Sequence, residues 1–202
     1  FDPVTKFDVA VDNVEQLPLL LRQAFREATS GAPAPVHLDL RGISGDVIED
    51  SEAELSPLAE EQFSRYPAFR PEPEPEWVRE AARTLARFER PIIVAGGGVT
   101  ASDAQREVVE LAEMLSIPVA TSLNGKGTIP EDHQLAVGVV GSYSRWCANR
   151  AVSEADVVLF IGSHTGSQVT NDWDADDDHK LAVVNIPHIF SMLNPAMKRK
   201  ET

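Results

Sequence analysis

The sequence has 202 residues, 43% of them hydrophobic and 25% charged, which is enough for one good core or for a core and part of a second. Its formal net charge of -14 would repel nucleic-acid backbones and anionic membrane surfaces, so we expect neither as a partner. No apolar run reaches the roughly 20 residues of a membrane span, and no signal peptide is visible.

Residues 1–45 predict a helix followed by a strand. Asn13, with Gln three positions later, has the pattern of a capping box and begins an amphipathic helix over 14–29. Alternating apolar residues then predict a short strand at 36–40. One helix and one strand cannot bury both their apolar faces alone, so we interpret this unit as the remnant of a larger α/β domain. Because the chain opens on Phe1 rather than Met, we also expect that Phe1 is not the natural start.

Residues 46–75 differ in composition from the segments on either side. They are rich in Asp and Glu, and they end in alternating proline and glutamate over 71–75. This composition favours an extended, solvated chain with few backbone donors. We interpret the segment as an interdomain linker, and a long surface loop is the alternative.

Helices and strands alternate over 76–202. Four short, largely apolar runs are typical of strands covered on both faces. These runs are residues 91–95, 117–121, 156–162 and 181–186. Their alternation with helices predicts a parallel sheet with right-handed crossovers. The predicted fold class is therefore α/β, a doubly wound, Rossmann-like parallel sheet preceded by the helix–strand remnant.

Three helices are predicted alongside these strands. The first has four apolar residues on one face, namely Trp77, Ala81, Leu85 and Phe88. Ser102 is predicted to cap the second, with Gln105 closing a capping box. The third, around 145–152, contains the single cysteine, Cys147. One thiol cannot form an internal disulfide, which favours a cytoplasmic location, and a buried structural role for Cys147 is favoured over a catalytic one.

Three glycines follow the strand at 91–95. Gly96, Gly97 and Gly98 can turn the chain tightly and bring backbone amides and a helix start towards an anion. With an alanine three positions on, they spell G-x-G-x-x-A, a loose dinucleotide fingerprint. That fingerprint needs an acidic residue about 20 positions later, where this sequence has Thr and Ser, so a standard NAD site is not expected. The alternative is that the glycines serve only strand-to-helix packing.

Two further strand ends carry polar groups: the first suits a phosphate or an adenosine, and at the second a histidine could orient a ligand. One has Thr121, Ser122 and Lys126, and the other has Gly162, Ser163 and His164. In open parallel sheets, ligands bind at the carboxyl ends of strands. These six residues and the three glycines are therefore the candidate cofactor-binding residues. The alternatives are an ordinary polar loop at the first end and a merely solvated or hydrogen-bonded His164 at the second.

No catalytic or metal-binding residue is predicted. The acidic stretch over 172–178 lacks the glycine and the bidentate glutamate of a calcium loop, so a solvated charge run is favoured. For hydrolysis, the sequence has no Ser/His/Asp set and no recognisable pair of carboxylates. The candidate residues are therefore predicted to bind and not to catalyse.

Four segments together resemble the acetolactate-synthase-like branch of the thiamine-diphosphate-dependent enzymes. They are LPLLLRQAFREATSGAPAPVHLDL (17–40), RPIIVAGGGV (90–99), IPVATSLNGKGTIPEDHQLAVGVVG (117–141) and EADVVLFIGS (154–163). The first resembles the end of the family's pyrimidine-binding domain, and the other three resemble its central domain. Each motif is loose, but their order and spacing are specific.

The resemblance implies a domain assignment. Residues 1–45 would end the pyrimidine-binding domain, 46–75 would be the linker, and 76–202 would be the central domain. The family's catalytic glutamate lies earlier in its first domain, and the residues that hold magnesium and thiamine diphosphate lie in its pyrophosphate-binding domain. Neither set has a match here. The implied partners are those remaining domains and further copies in a homo-oligomer, a dimer or a tetramer.

The resemblance also implies a nucleotide ligand. In some family members the central domain binds FAD or ADP along the strand ends that match the nine candidate residues. Flavin-binding members commonly carry an arginine where His164 stands, which argues against flavin here. The C-terminal part departs from the family pattern over 185–190, and 198–202 have no counterpart, which indicates truncation or a foreign tail.

Three functional hypotheses result. The leading one is the central, non-catalytic part of a thiamine-diphosphate-dependent lyase, decarboxylase or synthase acting on 2-oxo acids, which is not expected to be active by itself. The second is a self-standing nucleotide-binding module. The third is an assembly module, because the helix over 14–29 has apolar residues that its own unit cannot cover.

Overall fold

The computed structural model describes residues 1–40, 56, 58–69, 72–170 and 182–186. The chain divides into two compact units, Phe1–Arg70 and Pro71–Thr202. Within the described part, no helix has both the length and the apolar character needed to cross a membrane.

The first unit is a βαβ motif. Strands β1 (Phe7–Val11) and β2 (Val36–Leu40) pair in parallel and are connected by helix α1 (Leu17–Thr29). The helix and β2 confirm the prediction, whereas β1 was not predicted. The predicted helix–strand remnant is therefore a strand–helix–strand unit, because β1 provides the parallel neighbour that β2 needs for its backbone hydrogen bonds.

Part of the predicted 46–75 segment lies against α1. The Glu60 carboxylate accepts hydrogen bonds from Arg22 Nε at 2.9 Å and from Arg26 Nε at 2.5 Å. Next to this pair, the Arg26 guanidinium lies over the buried Phe63 ring, 5.2 Å from its centroid. Much of the segment lies outside the described residues, so its boundaries stay predictions.

The second unit is a five-stranded parallel sheet flanked by helices. Its strands are β3 (Pro91–Ala95), β4 (Val119–Thr121), β5 (Ala136–Val139), β6 (Val157–Ile161) and β7 (Ala182–Ile186). Its helices are α2 (Pro75–Leu85), α3 (Gly97–Ala101), α4 (Gln105–Leu115), α5 (Trp146–Ser153) and α6 (Ser167–Thr170). The spatial order is β5-β4-β3-β6-β7, which is the 3-2-1-4-5 arrangement of Rossmann-like sheets. The predicted fold class is confirmed.

Two hydrophobic cores cover the two faces of this sheet. Alternate residues of β3 point to opposite sides, as the period of a strand requires. Ile93 packs into one core with Val108 of α4, and Ile92 packs into the other with Val152 of α5. All four side chains are 3% exposed or less, so the sheet is buried on both faces, as its apolar strands predicted.

Three predicted helix details are wrong. Asn13 is an N-cap, as predicted, but its side chain accepts from the Glu15 N–H and caps a 3-10 turn ahead of α1, so the predicted capping box is wrong. Ser102 follows the last residue of α3, and its hydroxyl donates to the Gly98 carbonyl within that helix. Helix α4 begins later, without a side-chain cap. Trp77 is 66% exposed, because the inward-facing side of α2 begins one residue later, at the half-buried Val78.

Candidate functional site

The carboxyl ends of four strands lie side by side at one edge of the sheet. Ala95 at the end of β3 is opposite Thr121 of β4 and opposite Ile161 of β6, and Thr121 is opposite Val139 of β5. The nine candidate residues follow or end these strands. The structure therefore brings the three predicted groups to one edge, which we call the carboxyl edge.

Close backbone contacts at the carboxyl edge require glycine. A Cβ atom on Gly96 would lie 2.3 Å from the Gly162 carbonyl oxygen, and one on Gly98 would lie 2.8 Å from it. A Cβ atom on Gly125 would lie 2.3 Å from the Ala95 carbonyl oxygen. The glycines thus let three strand-end loops pack directly on one another. Their contact with a ligand stays a prediction.

Two of the three amides in the glycine turn bind other parts of the chain. The N–H of Gly96 donates to the Ile161 carbonyl at 2.8 Å, and that of Gly98 donates to the Gly162 carbonyl at 2.8 Å. Helix α3, which begins here, has only five residues. Both facts reduce the capacity of this turn to attract an anion, because that capacity depends on unpaired amides and on the aligned dipoles of a helix.

The loop after β4 is held by its own hydroxyl groups. Thr121 and Ser122 are buried, and the Ser122 N–H donates to the Ala95 carbonyl at 2.8 Å. The Ser122 hydroxyl accepts from the Gly125 N–H at 3.1 Å, and the buried Thr128 hydroxyl donates to the Gly125 carbonyl at 2.7 Å. The loop therefore presents a fixed backbone, and the Ser122 hydroxyl already has a partner.

Charged side chains meet just beyond this loop. The exposed Lys126 ammonium lies 3.0 Å from the Glu131 carboxylate. The hydrogen bond from Lys126, with its positive charge and that of Arg145, holds the pKa of Glu131 below its ordinary value. Arg145 lies at the start of α5, and its side chain passes the glycine of β5, Gly138, whose Cβ would be 3.2 Å from Arg145 Cδ. Lys126 thus has an acidic partner that the sequence analysis did not identify.

The loop after β6 offers one buried and one exposed polar side chain. Ser163 is 8% exposed, and its hydroxyl donates to the His164 carbonyl at 3.2 Å. His164 itself is exposed. Gly162 has a positive φ of 58°, which is why the chain can turn at the end of the strand. Of these residues, His164 is the one whose side chain a ligand could reach without rearrangement.

Asn149, which the sequence did not mark as a functional residue, fixes the loop after β5. The Asn149 side chain accepts from the Gly141 N–H at 2.9 Å and donates to the Gly141 carbonyl at 3.2 Å and to the Ser144 hydroxyl at 2.7 Å. Gly141, at φ 107°, contacts Gln168, whose carbonyl oxygen would be 1.9 Å from an added Cβ. An asparagine eight positions after a glycine has no sequence signature of its own.

No metal site is found among the described residues, because no three His, Cys, Asp or Glu side chains cluster suitably. The acidic stretch over 172–178 lies outside them. Cys147 is exposed, with its thiol donating to the Val137 carbonyl at 3.3 Å, so the expected burial of this residue is wrong.

Comparison with known proteins identifies the relatives of this chain. Residues 78–194 match the profile of a family described as "Thiamine pyrophosphate enzyme, central domain". The chain is 40% identical over 174 residues to a probable acetolactate synthase large subunit of Methanocaldococcus jannaschii, covering 85% of this chain and 29% of that protein. It is 37% identical over 171 residues to the glyoxylate carboligase of Escherichia coli O157:H7, covering 82% and 28%.

A third relative agrees with these two. The acetolactate synthase large subunit of Corynebacterium glutamicum is 34% identical over 174 residues, which is 85% of this chain and 27% of that protein. The chain thus spans less than a third of the length of these curated relatives. The family profile covers over half of the chain and includes the whole carboxyl edge from β3 to α6. The chain therefore belongs to the acetolactate-synthase-like thiamine-diphosphate-dependent enzymes, and residues 78–194 are their central domain.

Proposed function

We propose that this chain is the non-catalytic central part of a thiamine-diphosphate-dependent enzyme acting on 2-oxo acids, and that its carboxyl edge binds ADP or FAD. The observation that supports the nucleotide site is the alignment of the ends of β3, β4 and β6 beside the β5 loop. In sheets of this order, nucleotides bind where the strand order reverses, which here is next to β3.

The residues at the carboxyl edge are suited to different parts of a nucleotide. Lys126 offers a cation for a phosphate, and the exposed His164 offers a ring and hydrogen-bonding nitrogens. His164 takes the place where the family resemblance implies an arginine in flavin-binding members. We therefore favour ADP over FAD as the first ligand to test.

The non-catalytic assignment is supported by the chemistry of the described residues. They contain no cluster of metal-binding side chains, and the family resemblance implies that the residues holding thiamine diphosphate and magnesium lie in other domains. The described residues thus do not fit that cofactor, and we attribute no step of its chemistry to them. The action on 2-oxo acids is a proposal for the longer protein, based on the acetolactate synthases and the glyoxylate carboligase among its relatives.

A thermal-shift titration tests the proposal. The chain is heated with ADP, FAD, coenzyme A, or thiamine diphosphate with magnesium. A ligand present at 100 times its dissociation constant adds about 2.7 kcal/mol of stability, which raises the midpoint by several degrees. We expect a shift with ADP or FAD and none with thiamine diphosphate. An unchanged midpoint with both nucleotides would contradict the nucleotide site, and a raised midpoint with thiamine diphosphate would contradict the non-catalytic assignment.

A role in assembly is supported by a separate observation. Leu21 and Phe25, which lie one turn apart on α1, are 42% and 59% exposed in the first unit. Uncovered apolar residues on one helix mark contact surfaces. We propose that this face contacts the remaining domains of a longer protein or another copy in a homo-oligomer. A chain that is monomeric by light scattering and binds no hydrophobic dye would contradict this role.

A further inference from the structure

Two cations and one carboxylate lie together beside the loops that follow β4 and β5. Lys126 Nζ is 3.0 Å from Glu131 Oε1, and Arg145 acts on the same carboxylate through its charge. The three groups together carry a positive charge in a chain whose formal net charge is -14. The next acidic residue, Asp132, is exposed and is not within ion-pair distance of Lys126.

The need for such cations follows from the glycine turn. The amides of Gly96 and Gly98 donate to carbonyls of the β6 strand end, and α3 is too short for a strong dipole. A phosphate at the carboxyl edge therefore depends more on side-chain charges than it does in a glycine-fingerprint site. Lys126 and Arg145 are the described cations placed at the adjoining ends of β4 and β5.

We infer that Lys126 and Arg145 form the phosphate-binding part of the proposed nucleotide site, and that Glu131 is an internal competitor for it. The carboxylate of Glu131 occupies the position beside Lys126 where a phosphate oxygen would lie. This inference rests on the proposed nucleotide binding and extends it to a specific charge arrangement. It predicts that the site discriminates by charge, since only an anion has to displace Glu131.

The exposure of the pair makes displacement feasible. The side chains of Lys126 and Glu131 are 58% and 59% exposed, so their ion pair is weak and is screened by solvent. A terminal phosphate carries close to two negative charges and exceeds a carboxylate as a partner for a cation. Loss of the competing carboxylate should therefore tighten a phosphate ligand by between about twofold and fivefold, the range set by an exposed ion pair.

The test compares ADP with adenosine by isothermal titration calorimetry on the full chain. Glu131→Gln is expected to lower the Kd for ADP by about twofold to fivefold and to leave adenosine binding unchanged. Asp132→Asn is the matched control, because it removes the same charge from the neighbouring position without freeing Lys126. It should change the Kd for ADP by less than about twofold, the residual long-range effect of one screened charge.

Lys126→Met completes a double-mutant cycle. This substitution should weaken ADP binding, and Glu131→Gln should then have no further effect, since the competitor has lost the cation for which it competes. Equal effects of Glu131→Gln and Asp132→Asn, or weaker ADP binding in Glu131→Gln, would overturn the inference and leave nucleotide binding intact. If no variant binds ADP, the inference fails together with the ADP site. Thermal midpoints of the variants verify that each one is folded.

Discussion

Gly96→Ala is the substitution for which the structure makes the strongest stability prediction. The added Cβ would lie 2.3 Å from the Gly162 carbonyl oxygen, 2.5 Å from Ser163 Cα and 2.6 Å from Ser163 Cβ. Two of these atoms belong to the backbone, so a change of side-chain rotamer cannot relieve the contact. Reaching an ordinary van der Waals distance requires the β6 loop to move by about 1 Å. Backbone strain plays no part, because Gly96 has φ -103°.

The cost follows from two terms. Overpacking a close contact of this kind costs about 1–3 kcal/mol. Moving the loop also weakens the hydrogen bond from the Gly96 N–H to the Ile161 carbonyl, now 2.8 Å, and a bond of this type contributes about 1 kcal/mol. We therefore expect Gly96→Ala to lower the free energy of unfolding by about 2–4 kcal/mol, on the order of 1–2 M in the urea midpoint.

Tryptophan fluorescence measures this loss in the correct unit. All three tryptophans of the sequence, Trp77, Trp146 and Trp173, lie in the second unit. Gly166→Ala is the matched control, because a Cβ added there meets no atom within 4 Å. It should change the free energy of unfolding by less than about 0.5 kcal/mol. A Gly96→Ala variant as stable as the wild type, or a Gly166→Ala variant equally destabilised, would refute the steric argument.

Two further predictions concern Glu60 and Asn149. Hydrogen bonds from Arg26 and Arg22 lower the pKa of Glu60 from 4.5 to about 2, so its stabilising effect is present above pH 4.5 and is lost as the pH falls from there towards 2. Amide hydrogen exchange over α1, corrected for intrinsic rates, should therefore become faster in the wild type as the pH falls through this range. The increase should be smaller in Glu60→Gln, and in the control Glu61→Gln it should equal that of the wild type. Asn149→Ala removes three hydrogen bonds from the β5 loop and should cost about 1–3 kcal/mol in the same urea assay. Asn149→Asp should fall between, since it can accept from Gly141 but cannot donate; a fully stable Asn149→Ala would contradict the assigned role.

The parts of the fold that the sequence predicted are those with strong local signals. The strands predicted at 91–95 and 156–162 contain unbroken apolar runs, 91–95 and 157–161, each followed directly by glycine, and the helix over 14–29 has a clear apolar stripe. β1 and β5 lack such signals. β1 is interrupted by the charged Asp8, and β5 contains Gly138 at φ 97°, beside a register shift in its pairing with β4. Both are strands because a neighbouring strand pairs with them, which a local pattern cannot reveal.

The candidate site likewise has one property that the sequence could predict and others that it could not. Its location could be predicted, because parallel strands place their carboxyl ends at one edge once the strands are known. The partners within it could not. Lys126 pairs with a carboxylate five positions away across a loop, and Asn149 reaches back to Gly141 from the following helix. These contacts depend on loop conformation, which residue types alone do not determine.

The glycine turn could either pack the loops together or bind an anion through its amides, and its use in packing explains why recognition of charge at the carboxyl edge would depend on side chains. Gly96 and Gly98 allow the β3 and β6 loops to pack closely. At this distance the N–H groups of the two glycines donate to the carbonyls of Ile161 and Gly162. An amide that binds a carbonyl is not available to a phosphate. Close packing and amide-based anion binding therefore exclude each other at these two positions. Gly96→Ala should consequently change stability through packing, whereas Glu131→Gln should change phosphate affinity without changing stability, and the two measurements separate the architecture of this edge from its recognition chemistry.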